Sequence, residues 1–176
     1  MKPHSDNIIF FDTEFTSLDP YKGEIISIGL VKPSGEELYL EVEHQGYVNP
    51  WVKDNVVPLL EGKPLPRERV AREIKKFAGE TMPFLVSYVV EFDAPYLYKL
   101  LGVTDEQTNK SLPYHWVVID FASLLFGMGR SPDSLSGSKK SALLAELGID
   151  RSAYREHHAL EDAKLLRYIY LKLFGS

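Results

Sequence analysis

Four carboxylates in this sequence stand where an apolar strand gives out or a helix begins: Asp12, Glu14, Asp93 and Asp162. Asp12 and Glu14 follow the apolar run "IIFF" at a spacing of two, which in extended chain points both side chains the same way. Asp93 follows "SYVVEF", and Asp162 lies within "HHALEDA" with His157 five residues before it. Taken singly, each has an ordinary explanation. A D-x-E pair often marks an acidic turn, an Asp in "FDAP" suits a helix N-cap, and acidic groups at a helix start satisfy the macrodipole. Taken together, they describe like charges that repel unless a cation lies among them. Carboxylate oxygens select hard ions such as Mg²⁺ or Mn²⁺, which also bind phosphate. Two such ions activate a water and stabilise the oxygen that leaves a phosphodiester. That reaction needs a base for the water's proton, and histidine as a residue type fits the role.

The elements that must hold these groups are legible around them. "NIIFFD" (7–12) reads as a buried strand ending at Asp12. "GEIISIGLV" (23–31) and "EELYLEV" (36–42) flank "KPSG" as an antiparallel hairpin. "YVNPWVKDNVVPLL" reads as irregular and aromatic. The spacing of Val70, Ile74 and Phe77 predicts a helix from Arg67 that ends on Gly79. Strands follow at 83–89 and 115–120, with a helix from about Ala94 to Leu101 between them. "FASLLFGM", "KSALLAELGI" and "ALEDAKLLRYIYLKLF" read as helices, and "GRSPDSLSGSKK" as a flexible loop. The order predicts an α/β fold, a mixed five-stranded sheet flanked by helices, in one domain spanning 1–176.

Composition bounds the rest. At 176 residues with 44% apolar content, one sizeable core is expected. Cysteine is absent, which excludes disulfides, thiolate metal sites and a cysteine nucleophile. A net charge of −5 argues against a duplex binder that covers many phosphates with Lys and Arg. It leaves open an enzyme that grips a strand end through bound cations. The N-terminus shows no signal-peptide pattern and no run reaches the length of a membrane span, so a cytoplasmic location without membrane contact is the expectation.

"FDTEFTSL", "EFDAPYL" and "HHALEDA", in this order, resemble the three motifs of the DEDDh (DnaQ-like) 3′–5′ exonucleases, a superfamily with a ribonuclease-H-like fold. The resemblance implies Asp12, Glu14, Asp93 and Asp162 as ligands of two divalent cations and His157 as the base. The pattern H-x-A-x-x-D selects His157 over His158, because Ala159 and Asp162 then fall in register. By the family pattern Thr16 and Leu18 line the nucleotide pocket, Phe15 packs either a base or sugar or the core, and Thr13 and Tyr88 complete the substrate-contact candidates. Two departures stand out. Tyr88 and Val89 occupy the place of a common His-Asn pair, and Phe15-Thr16-Ser17-Leu18 replaces a Thr-Thr-Gly-Leu tail.

"DTEF", the hairpin "EIISIGLVKPSGEELYLEV" and the insert "PWVKDNVVPLL" are similar to the RNase AS branch of small exoribonucleases, which favours adenylate-containing RNA and lacks the His-Asn pair. That resemblance implies a homodimer acting on the 3′ end of single-stranded RNA. Trp51, Tyr88 and Trp116 offer either stacking surfaces for bases or core packing. Lys139 and Lys140, opening a helix beside the loop, suit either backbone phosphates or a solvated helix start. Two other readings stay in view: a proofreading-type exodeoxyribonuclease on single-stranded DNA, and a catalytically silent nucleic-acid-binding module.

Overall fold

The computed structural model describes residues 4–103 and 112–175. Its sheet is built around β1 (Ile8–Phe15), which pairs antiparallel with β2 (Ile25–Val31) and parallel with β5 (Phe84–Ser87). Antiparallel β3 (Glu37–Val42) extends the sheet beyond β2. Two-residue strands close its edges, β4 (Pro64–Leu65) beside β3 and β6 (Ile119–Asp120) beside β5. The order β4-β3-β2-β1-β5-β6 puts the strand that carries Asp12 and Glu14 inside the sheet, paired on both sides.

Among the described residues the sheet has six strands where five are expected. The added one, Pro64–Leu65, is too short for a periodic pattern, and its proline suits an edge position. The strand expected at 115–120 contracts to its last two residues. β1 continues through Asp12 to Phe15, so both carboxylates lie on the strand itself; a register irregularity follows between Glu14 and Phe15. Within the segment expected to be irregular, Pro50–Asn55 forms helix α1, with Asn49 accepting from Trp51 N–H and Pro50 opening the first turn.

Helices cover both faces, as alternation along β1 requires. Ile9 and Phe11 pack with Ile74 and Phe77 of α2 (Arg67–Ala78) and with Leu97 of α3 (Val90–Leu101). Ile8 and Phe10 point the other way, toward Phe121 and Leu125 of α4 (Phe121–Gly127). On that face they also meet Leu143 of α5 (Gly137–Glu146), and Leu166 and Ile169 of α6 (Ala159–Phe174). α3 begins four residues before the expected Ala94, and Asp93 therefore sits inside its first turn while Val89 takes the N-cap position.

Candidate active site

Continuing the alternation past Phe10 places Asp12 and Glu14 on the face covered by α6, and Thr13 on the face covered by α3. Asp12 and Glu14 lie opposite Gly29 and Ser27 of β2. Gly29 explains how the last helix gets close enough to complete the site. A Cβ there would run into the backbone of Ala159 and Leu160, the first turn of α6. Only a residue without a side chain lets that helix end rest on the strand beside Asp12, two residues short of Asp162. Nothing in the sequence marked Gly29, because its role depends on what lies across from it.

Asp12, Glu14 and Asp162 converge, each offering a carboxylate oxygen within 4.8 Å of the others. Asp93 stands beside them on the wall of the same cavity, whose volume is about 700 Å³. Its Oδ1 accepts from Thr13 N–H at 3.0 Å and from the Thr13 hydroxyl at 2.7 Å. Burial and the neighbouring carboxylates hold Asp12 well above the usual carboxylate range, and raise Glu14 to about 8. Burial also raises Asp93, to about 6, against the opposing effect of the Thr13 hydrogen bonds. Asp162 is raised by burial, while Lys140 and His157 oppose the shift. Four carboxylates at such cost make a site whose chemistry fits divalent cations: hard oxygen donors, mutually repelling and drawn together by buried elements.

His157 and His158 separate cleanly. His157 is exposed on the cavity wall, and its N–H donates to Asp162 Oδ2 at 2.9 Å. It reaches that contact by adopting φ 61°, a left-handed conformation uncommon for a residue with a side chain. His158 turns inward, buried and stacked on Tyr39 with ring centroids 4.5 Å apart. Trp51 meets the His157 ring edge-on at 4.9 Å and is 51% exposed, so it stands at the surface beside His157, outside the cavity lining, instead of filling the core.

The nucleotide-contact candidates divide. Leu18 is exposed on the cavity rim, and Phe15 lines the cavity while stacking on Tyr96 at 4.3 Å. Thr13 is buried, with its N–H and hydroxyl both committed to Asp93. Thr16 departs from the expectation: it is buried, and its hydroxyl accepts from Glu24 N–H at 3.0 Å, tying β1 to the start of the hairpin. Tyr88 lines the cavity, but its hydroxyl donates to Pro132 O at 2.8 Å and accepts from Leu135 N–H at 3.2 Å. It pins the loop ahead of α5. Trp116 is exposed and lies outside the cavity lining. Lys140, Arg151 and Glu156 also line the cavity, and the sequence singled out neither of the last two.

A central antiparallel hairpin continued by parallel strands, with acids at the end of β1 and on α3 and α6, defines a ribonuclease-H-like nuclease fold. The family model RNase_T, described as Exonuclease, matches residues 9–170. The chain belongs to this exonuclease family, within the DEDDh (DnaQ-like) 3′–5′ exonuclease superfamily. Among solved structures it is similar to the zinc-bound complex of E. coli ExoI with ssDNA, at a TM-score of 0.70 and 15% identity over 94% of this chain and 40% of that one. E. coli exonuclease I in complex with a dT13 oligonucleotide gives 0.66 and 13%, over 94% and 41%. Cell-death related nuclease 4 (CRN-4) gives 0.63 and 15%, over 96% and 63%. The chain thus spans about two fifths of the exonuclease I chains, and at these identities the likeness is one of fold. No curated protein matches the chain. Among the described residues no helix is long and apolar enough to cross a membrane.

Proposed function

We propose that the chain is a 3′–5′ exoribonuclease that removes nucleoside 5′-monophosphates from single-stranded RNA. Its cofactors in this reading are two Mg²⁺ or Mn²⁺ ions held by Asp12, Glu14, Asp93 and Asp162. The observation that carries it is the convergence of Asp12, Glu14 and Asp162 in one cavity with Asp93 and an exposed His157. When bound, the cations supply Lewis-acid stabilisation of charge on the attacking and leaving oxygens. His157 accepts a proton from the water as its oxygen attacks the last internucleotide phosphorus. The P–O3′ bond breaks and the leaving O3′ takes a proton from solvent, giving a new 3′-hydroxyl on the shortened strand and a free 5′-monophosphate. Leu18 on the rim, Phe15 on the wall and Trp51 beside His157 supply apolar surface for the terminal base and sugar.

The preference for RNA follows from the RNase AS resemblance of the hairpin and of the Trp51 insert. The same resemblance supports a homodimer; one continuous sheet fits a single exonuclease domain across 1–176, and a cytoplasmic location completes the reading. Oligomers of RNA and of DNA labelled at the 3′ or the 5′ end, incubated with Mg²⁺ or Mn²⁺, test the reading. Stepwise shortening from the 3′ end, faster on RNA, is expected. Faster loss of DNA ends would replace the substrate, and no cleavage of either would leave a binding module. Light scattering coupled to size exclusion reads the dimer directly.

A further inference from the structure

The cavity holds a positive charge that the DEDDh motifs do not account for. Lys140 lies in the first turn of α5, its side chain only 12% exposed, and its Nζ sits 3.4 Å from Asp162 Oδ1 and 3.3 Å from Glu156 Oε1. Lysine is rarely buried this far without a partner. Its neighbour Lys139 turns away to pair with Asp133 at the surface, so of the two lysines only one enters the site. Glu156 is held in turn by Arg151 at 2.8 Å, giving an alternating chain of charge: Asp162, Lys140, Glu156, Arg151.

This arrangement cannot stay unchanged once the carboxylates hold divalent cations. Both oxygens of Asp162 are engaged, Oδ2 by the His157 N–H and Oδ1 by Lys140. An ion taken up by Asp162 competes with the ammonium for the same carboxylate and repels it. Glu156 remains to hold Lys140 at the cavity wall. An ammonium left there, one partner short and facing the reaction cavity, has a complementary anion in the substrate: a non-bridging phosphate oxygen.

Resting on the exonuclease reading above, we infer that Lys140 exchanges partners, serving as counter-cation to Asp162 in the metal-free protein and as a ligand of the substrate phosphate in the loaded one. Two effects of opposite sign follow from neutralising it. Lys140→Met removes a competitor for Asp162, so Mn²⁺ binding measured by calorimetry without nucleotide should tighten, by about three- to tenfold. The same variant loses a charged contact to phosphate, so AMP binding at saturating Mn²⁺ should weaken by roughly tenfold, with adenosine binding unchanged. Lys140→Arg, which keeps the charge, should lie closer to the parent in both measurements and shows that the site tolerates substitution.

Weaker Mn²⁺ binding in Lys140→Met, or no change in either measurement, would make Lys140 a structural ion-pair residue and overturn the inference. Tighter Mn²⁺ binding with AMP affinity intact would reduce it to a counter-ion and overturn the phosphate contact. The parent protein keeps the two levels apart. If it neither binds Mn²⁺ nor shortens oligonucleotides, the exonuclease reading fails. If it does both and Lys140→Met matches it, only the role of Lys140 fails.

Discussion

At the scale of residues, the site depends on a backbone choice as much as on side chains. His157 occupies the left-handed region so that its N–H can turn back onto Asp162, which fixes the proposed base and a proposed metal ligand relative to each other. A non-glycine residue held there carries strain of about 1 kcal/mol or more, and asparagine tolerates the conformation better than most. His157→Asn is therefore the cleaner probe of the base. It should unfold near the parent temperature and retain Mn²⁺ binding while losing about 10²–10⁴-fold in turnover. His158→Ala should behave the other way, lowering the unfolding temperature by several degrees through the lost stack on Tyr39 while keeping most turnover in the folded fraction. Matching losses of turnover in both variants would remove His157 from the role of base. The register of "HHALEDA" singles out His157, the histidine that faces the cavity, whereas its left-handed backbone is announced by no residue type.

At the scale of elements, the approach of α6 to β2 decides whether the carboxylates meet. Gly29→Ala sets a methyl group against helix backbone, which cannot rotate out of the way as a side chain does. The helix end must lift, and Asp162 moves with it. The expected result is a loss of about 1–3 kcal/mol in stability, as for other overpacked interiors, together with weaker Mn²⁺ binding than the loss of stability alone would give. Gly127→Ala, at a helical glycine with open space around it, should change neither. Unaltered Mn²⁺ binding in Gly29→Ala would mean that Asp162 reaches the cluster independently of that contact. The helices, the hairpin and the positions of the acids within them were readable because apolar periodicity and turn residues are local signals. β4, the short helix at Pro50–Asn55 and the contact at Gly29 were not, because each is defined by a partner distant in sequence. Thr16 shows the same limit: a motif gives its place in the chain just past β1, and only the facing Glu24 backbone shows which way its hydroxyl goes.

At the scale of the whole molecule, the carboxylates couple folding to pH and, in the function proposed above, to metal. Without cations, burial and mutual repulsion raise Glu14 to about 8 and Asp93 to about 6, and lift Asp12 and Asp162 as well. The unfolded chain releases these protons near the ordinary carboxylate values, about 4. Between those limits the native state holds more protons, so the stability linked to these groups is complete below about pH 4 and is lost as pH rises through 6 to 8. Divalent ions take the deprotonated carboxylates, so their effect must grow over the same window. Thermal unfolding in EDTA should accordingly shift to lower temperature between pH 5.5 and pH 8. Mn²⁺ at a hundred times its dissociation constant for pH 8 should restore roughly 5–10 °C there, and the same concentration should restore much less at pH 5.5. Asp12→Asn takes one repelling charge out of the cluster and should flatten the pH dependence in EDTA while weakening the response to Mn²⁺. Equal Mn²⁺ shifts at both pH values would show that the ions bind somewhere other than this cluster, since binding there has to displace the protons that burial keeps in place.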